Sequence, residues 1–553
     1  MIEFTARIDL KDKVPPARVE CHLDRNYRRD DFPAGSVVHD GRVSAWTRDG
    51  SGWNGSFLAW QEGTPTGSPG LTLYLDRFGS IPVYLARNGD ELLLASSLRF
   101  FAQEGFRRPE ANAALQVVLL GMPFGRQTLL EGVQLLPPAS RLVVDGARGE
   151  WQVERYWWPS PPAEEDTDRR NLDATVAGLV ERLCNAQERI PAPAHYAYPV
   201  TAGLDSRVNI AAGGERVGAA TLVHCGGPGD AETPISRRIA EAVGSHLELV
   251  GPLEGLAAGV GADPFTESGE LSTWQWWLSG IPGAVVRHGE GAMLVDGYLQ
   301  DVLFNPHLVQ AGQVMPPWKR YAHLAAFRWR ILLGERQAGE PQGLVEALQE
   351  AENLARGDSH LATEQNFYLE NRSRRYTLGT VRLAQNHLRV GLPGLDHDLV
   401  DFGLALPWRW REGGALYRRA IQQLSPALAR VPEGKTGLPL TSERRHSLPR
   451  TLKRLWGRGV GRYIRRLAPV GKGTSTWFTI LVARDPAFRR RVRGELTGSE
   501  WLPWCGVPVT RMVDRLSGSR LGPTEGYLIC QALTLTRLER VIRGQEVVGG
   551  RGN

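Results

Sequence analysis

No apolar run in this 553-residue chain reaches the length needed to cross a bilayer, so no membrane-spanning helix is expected. Cysteine is scarce. Cys21, Cys184, Cys225, Cys505 and Cys530 are scattered and form no CxxC pair, which excludes a disulfide framework and argues against a structural zinc site. The opening residues carry Glu3 and Asp9 and lack a long apolar core, so no signal peptide is expected there and a cytoplasmic location is the natural reading. Acidic residues are missing altogether from 444 to 484. Arg445, Arg450, Lys453, Arg454, Arg458, Arg462, Arg465 and Arg466 crowd that stretch, although the net charge of the whole chain is only +6. Such a block can attract phosphates, an acidic polymer or nucleic acid, or it can be a solvated basic face. Its Gly457, Gly459 and Gly461 follow no strand pattern, which speaks against a dinucleotide site.

A hydrophobic fraction of 42% and a charged fraction of 23% are ordinary for a soluble protein. The length allows two or more domains with sizeable cores. Up to about residue 155 the pattern is that of short strands. Runs such as Leu71-Thr-Leu-Tyr-Leu75, Leu92-Leu-Leu-Ala95 and Arg141-Leu-Val-Val144 are separated by turn residues, and Asn88-Gly89-Asp90 reads as a hairpin. A Pro- and acid-rich stretch over 159–168 reads as a linker. Helical and strand patterns then alternate: a helix over 172–190, strands at 196–200, 220–224 and 247–250, and a helix over 233–243. Alternation of this kind predicts a parallel sheet covered on both faces, with ligands at the carboxyl ends of its strands. From about 310 to 460 the pattern is mostly helical. The 17 tryptophans cluster at Trp157 and Trp158, at 274–277, and at Trp408 and Trp410; they suit either stacking on a substrate or half-buried packing.

The most informative stretch is Tyr198-Pro-Val-Thr201-Ala202-Gly203-Leu204-Asp205-Ser206-Arg207. An apolar strand ends in a small-residue turn that leads straight into a helix start. Free backbone N–H groups and the positive end of a helix dipole suit a phosphate there. Gly203 has no side chain to block the approach of an oxyanion, and the hard oxygens of Asp205 suit Mg²⁺ carried by a nucleotide. No Gly-Lys-Ser/Thr follows this turn, so it is not a Walker A loop. An ordinary strand-to-helix turn capped by Asp or Ser is the plainer alternative.

The stretch resembles the PP-loop, Ser-Gly-Gly-Leu-Asp-Ser, of the asparagine synthetase superfamily, with Thr201 and Ala202 in place of the first Ser and Gly. Other segments resemble that family in the same order. Leu75-Asp76-Arg77-Phe78-Gly79-Ser80-Ile81-Pro82-Val83-Tyr84 is similar to the Asp-Arg-Phe-Gly-x-x-Pro-Leu-Tyr of its glutaminase domain. Leu130-Glu-Gly-Val-Gln-Leu-Leu-Pro-Pro138 is similar to Phe-x-Gly-Ile-x-x-Leu-Pro-Pro-Gly. The segment from Asp296 to Phe304 aligns with Gly-Glu-Gly-Ser-Asp-Glu-Leu-Phe: it keeps Gly297 and Asp301, and has Leu299 for the second Gly and Val302 for the Glu. Leu392-Pro-Gly-Leu-Asp396 resembles Val-Pro-Phe-Leu-Asp, and Pro432-Glu-Gly-Lys435-Thr-Gly-Leu-Pro439 falls where the family has a phosphate-neutralising Lys.

The resemblance implies an α+β, Ntn-hydrolase-like glutaminase domain over 1–158, a linker over 159–170, and an α/β PP-loop synthetase domain with a helical C-terminal part over 171–553. It implies ATP at Thr201, Ala202, Gly203, Leu204, Asp205, Ser206 and Gly297, Mg²⁺ on Asp205 and Asp301, and neutralisation of phosphate charge by Arg207 and Lys435. Family glutaminases use a cysteine directly after the initiator Met; Ile2 stands here, so a retained scaffold without its own glutamine hydrolysis is expected. Arg389 occupies a position where the family often has a Glu that meets the amine, and a cation there attracts an anion instead. The expected activity is adenylation of a small-molecule or peptide carboxylate followed by amide formation with ammonia or another amine. A non-catalytic binding protein working through its basic segment, and an RNA-modifying PP-loop enzyme, are the alternatives.

Overall fold

The computed structural model describes residues 3–10, 18–22, 28–32, 35–40, 53–65, 67–159, 171–227, 230–253, 278–289, 291–304, 315–334, 341, 343–442, 474–517 and 521–544. Ile2, residues 160–170 of the expected linker, the tryptophans of 274–277, and residues 444–473 of the basic segment with its three glycines lie outside them.

Eleven strands form the N-terminal part: β1 (Glu3–Asp9), β2 (Arg18–His22), β3 (Arg28–Phe32), β4 (Gly35–His39), β5 (Phe57–Glu62), β6 (Gly70–Leu75), β7 (Tyr84–Asn88), β8 (Glu91–Ala95), β9 (Gln134–Leu135), β10 (Ser140–Asp145) and β11 (Glu150–Arg155). They make two antiparallel sheets, one in the order β2-β1-β8-β7-β9 and the other in the order β11-β10-β6-β5-β4-β3. Alternation along each strand explains why the sheets stack. Phe4, Ala6 and Ile8 of β1 and Leu92 and Leu94 of β8 meet Leu58, Leu71, Leu73, Leu142 and Val144 of the other sheet in one core. Ala86, Leu93 and Ala95 point to the opposite face, onto α1 (Leu98–Gln103) and α2 (Ala111–Leu120). Asn88 pairs with Glu91 across a two-residue turn, and Gly89 takes the positive φ of 60° that such turns require.

The second part begins with α3 (Leu172–Glu188) and alternates as β12 (His195–Pro199), α4 (Asp205–Ala212), β13 (Thr221–Cys225), α5 (Thr233–Val243) and β14 (His246–Val250). The chain then returns to the far side of β12 with β15 (Ala292–Val295) and β16 (Arg389–Gly391). The sheet order is β14-β13-β12-β15-β16, with every neighbouring pair parallel. β12 is central, and its Ala197 lies between Thr221 and Leu294. After β12 the chain runs to one side, and after β15 to the other. The crevice outside the carboxyl ends of these two strands is therefore the topological switch point, where α/β sheets bind ligands.

One apolar core draws on both parts of the chain. All eight residues from Ala113 to Leu120 are buried, so α2 needs cover on more than the sheet side. The helices Thr474–Arg484, Pro486–Thr497 and Pro523–Ile542 supply it: Phe478, Phe488, Val492, Leu528 and Leu535 share one core with α1 and α2 rather than with the parallel sheet. None of the described helices is long and apolar enough to cross a membrane.

One buried cation braces the second loop of the crevice. Arg411 is fully buried; its Nε donates to Leu303 O at 2.7 Å and its Nη2 to Val302 O at 2.8 Å and Gln365 Oε1 at 2.8 Å. It thus satisfies carbonyls of the short helix Gln300–Phe304, and burial lowers its pKa to about 9. Arg411→Met leaves those acceptors unpaired and is expected to cost more than about 3 kcal/mol in the urea midpoint. Arg419→Met removes only an exposed pair with Asp173 and is expected to cost less than about 1 kcal/mol.

Candidate functional site

The turn after β12 is built on hydroxyls. Ser206 Oγ accepts from Thr201 N at 3.1 Å and lies 3.0 Å from Thr201 Oγ1, which in turn accepts from Gly203 N at 3.2 Å. These bonds close the loop over itself and deliver Asp205 to the first turn of α4. Ala202 and Leu204 are buried beneath it, while Thr201 is exposed. Gly203 leaves little room for a side chain: an added Cβ would lie 3.3 Å from Thr201 Oγ1, closer than ordinary van der Waals contact.

The turn after β15 faces it. Asp296 Oδ1 accepts from Tyr298 N at 2.8 Å, and Gly297 O accepts from Gln300 N at 3.2 Å. Asp301 follows in the first turn of the helix Gln300–Phe304. The two turns abut, since a Cβ on Gly297 would lie 3.6 Å from Asp205 O. Gly394, of the segment Leu392-Pro-Gly-Leu-Asp396, closes the back of this turn: any side chain there would collide with Tyr298 O.

The sequence-predicted carboxylates Asp205 and Asp301 are therefore neighbours across the crevice. Burial pushes the Asp205 carboxyl up to about 7, and the negative charges of Asp301 and then Glu433 add to the rise. Asp205 Oδ1 is buried without a hydrogen-bond partner among the described residues. Burial also raises Asp296 to about 6, with Asp301 again contributing. The phenol of buried Tyr417, which donates to Gln300 O at 2.7 Å, is held well above its usual range by burial and by the same two aspartates.

Among the described residues no three His, Cys, Asp or Glu are grouped to hold a metal by themselves. Two carboxylates supplemented by phosphate oxygens are the usual protein share of a Mg²⁺–nucleotide site, and an orphaned carboxylate oxygen beside a second carboxylate fits that share.

Lys435 and Arg207 have different situations. Glu433 is buried and accepts from Arg418 Nη2 at 2.5 Å; Gly434 N donates to Ala202 O at 2.8 Å, which ties the 433–438 turn to the phosphate-type loop. Lys435 is exposed on that turn, with no ion pair among the described residues. Arg207 is fully buried and does not project into the crevice. Its Nη1 donates to Val431 O at 2.6 Å and its Nη2 to Pro432 O at 3.1 Å. Its expected role in neutralising phosphate is thus replaced by a positioning role: it fixes the segment that carries Glu433 and Lys435. Arg389, the other cation singled out, opens β16 opposite Met293, and burial and then Arg28 lower its pKa.

Asp296, Glu433 and Tyr417 were not legible as site residues. A carboxylate directly after an apolar strand was the one available signal for Asp296. Glu433 and Tyr417 come from distant chain positions.

No family model and no curated protein matches the chain. Among solved structures, the chain is similar to the glutamine phosphoribosylpyrophosphate amidotransferase from B. subtilis complexed with ADP and GMP, at 13% identity and a TM-score of 0.16, over 54% of this chain and 69% of that one. A likeness that slight carries no argument.

The raised acids set a pH dependence. Unfolded, Asp205 ionises near about 3.9; folded, it holds its proton up to about 7. The folded state thus binds more protons over that window, so this group's contribution makes stability fall as pH rises from about 4 to 7. Asp205→Asn is expected to match the wild-type thermal midpoint at pH 4 and exceed it at pH 8, corresponding to a gain of about 1–3 kcal/mol in unfolding free energy, when divalent cations are absent. An equal midpoint at pH 8 would show that the buried oxygen carries no cost.

Proposed function

We propose that this chain is an ATP-dependent carbon–nitrogen ligase of the asparagine synthetase type, which activates a carboxylate as its adenylate and forms an amide with ammonia or another amine. The observation that carries this reading is the meeting of Asp205 and Asp301 at the switch point of a parallel sheet, one at each loop, with an oxygen of Asp205 left unpartnered.

A second observation supports the family resemblance. Among the described residues, Ala139 (φ 51°) and Leu299 (φ 73°) are the non-glycine residues with left-handed backbone. Both stand where the family pattern has glycine, after Pro-Pro and two residues past Gly297. A left-handed residue other than glycine costs about 1–2 kcal/mol, so the backbone path of the family persists here although the glycines do not.

In this reading the N–H groups of the 201–206 turn and the start of α4 bind the α-phosphate, and Thr201 and Ser206 keep the turn closed around it. Asp205 and Asp301 would hold Mg²⁺, which when bound supplies charge neutralisation to the phosphates. A carboxylate oxygen of the acid attacks the α-phosphorus, and the bond to pyrophosphate breaks. The amine nitrogen then attacks the acyl carbon, loses a proton and displaces AMP. Lys435, carried on the turn bonded to Ala202, offsets the negative charge that develops on the phosphates and the tetrahedral carbon. Arg207 acts through that turn and touches no substrate. Positioning and electrostatics supply most of the rate.

Purified protein with Mg²⁺ is expected to exchange labelled pyrophosphate into ATP when offered a panel of carboxylic acids. Asp205→Ala abolishes the exchange, and Lys435→Ala slows it about 10²-fold or more while ATP still binds. ATP binding without exchange for any acid would instead favour a binding protein. Gly203→Ala tests the loop itself. The methyl group would press on Thr201 Oγ1, which must shift by a few tenths of an ångström, so the variant is expected to fold with at most a small drop in melting midpoint but bind Mg²⁺–ATP about tenfold more weakly. Unchanged affinity would remove the phosphate from this turn.

A further inference from the structure

A cavity of about 310 Å³ lies between the 125–138 region, β11 and a π-helical stretch, Tyr368–Thr377. Its charged lining is lopsided: Arg126, Arg155, Arg356 and Arg374 against the single carboxylate of Glu370, with Trp158 beside them. The π-helix brings Glu370 and Arg374 to the same cavity, and such windings are frequent at functional sites.

The guanidiniums are only partly used by the protein. Arg155 Nη1 donates to Glu370 Oε1 at 2.5 Å, and its Cζ lies 3.5 Å from the Trp158 ring centroid. Its Nε is buried with no partner among the described residues. Arg374 is 4% exposed; its Nε donates to Gly79 O at 3.2 Å, and its Nη2 is likewise unpartnered. Burial, together with Arg375 and Arg382, lowers the Arg374 pKa to about 10. Glu370 and then Asp76 offset this crowding only in part, and Asp76 makes its hydrogen bonds elsewhere: it accepts from Phe78 N at 2.9 Å and from Ser80 Oγ at 2.7 Å. Leaving buried cations without enough negative charge is costly, and a bound anion removes that cost. Arginine forks suit the paired oxygens of carboxylates and phosphates. The volume fits a small metabolite and not a polymer.

We propose that this cavity is a binding site for a small dianion, held by Arg155 and Arg374 within and by Arg126 and Arg356 at the rim. The shared chemistry is two negative charges within a few atoms, as in a dicarboxylate or a phosphate monoester. The site is separate from the crevice of Asp205 and Asp301, although Tyr368 at the start of the π-helix feels the charge of Asp301.

The test is thermal unfolding and titration calorimetry of the full chain, without Mg²⁺ or ATP. The probes are succinate and glycerol 3-phosphate, compared with sodium chloride at matched ionic strength. At least one probe is expected to raise the midpoint above the salt control, and the more effective one identifies the source as carboxylate or phosphate. In the Arg126→Ala, Arg356→Ala double variant, both of whose sites are exposed and free of buried packing, affinity is expected to fall by about tenfold or more. In Gly203→Ala it is expected to stay unchanged. No rise with either probe overturns the proposal, as does a rise that survives the double variant or is lost in Gly203→Ala.

Discussion

Two half-buried carboxylates that repel each other across a narrow crevice are the constraint on which the rest of this architecture turns. Asp205 and Asp301 come from loops that follow adjacent parallel strands, so the sheet itself holds them together. Water would normally relax such a pair, but burial raises the cost of ionising Asp205, and the charge of Asp301 adds to it. Each sits in the first turn of a helix, where the dipole is favourable to negative charge. That help is partial, because one Asp205 oxygen still has no donor among the described residues. The arrangement is stable without a cation only at the expense of holding a proton. With a divalent cation and phosphates it becomes a matched set of charges.

Several features far from the crevice make sense as its support. Arg411 fixes the end of the helix that begins beside Asp301, and Arg207 fixes the end of the short helix Pro426–Arg430 and the two residues that lead from it to Glu433. Both are fully buried guanidiniums spending their donors on carbonyls, and both act on chain segments more than a hundred residues away. The N-terminal part contributes through the Asp76-Arg77-Phe78-Gly79-Ser80 turn. Asp76 accepts the Phe78 and Ser80 amides, which shapes the turn so that Gly79 O and Ser80 O accept from Arg374 and Arg382. Arg77 pairs with Asp401 at 2.6 Å. Gly79 has a φ of 55°, and the Arg374 guanidinium lies where a side chain would be. The Asp76–Ser80 turn is thus a joint between the two parts of the chain.

Legibility followed the range of the interactions. The strands and helices around β12 coincide with the expected ones to within one or two residues, because periodicity is local. The 201–206 turn and Asp301 were legible because residue types at fixed spacing carried them. Arg207 was not: a cation directly after a phosphate-type turn reads as a ligand of the phosphate, and only partners at 428–432 reveal that it faces away. Glu433, Asp296 and the cavity arginines belong to the same class, since each acts through groups remote in the chain. The core shared by the two parts of the chain is hidden for a related reason. The strand-rich pattern of the first 155 residues says nothing of which helices, some 350 residues later, will cover α2.

Leu299 shows how side chain and backbone can be decoupled at a site like this. Its φ of 73° is a conformation that glycine adopts freely and leucine resists. Yet its side chain is completely buried, in the core that also holds Val302, Leu303 and Tyr417. Burying a leucine contributes about 1.5–3 kcal/mol, enough to offset the backbone strain of about 1–2 kcal/mol. The turn therefore has a shape that sets Gly297 beside Asp205 and starts the next helix at Gln300, with no glycine at its left-handed position. Packing of the side chain holds the path of the main chain past the carboxylates. A reading that required the glycine itself would have dismissed the loop, and one that asks what backbone the loop must adopt retains it.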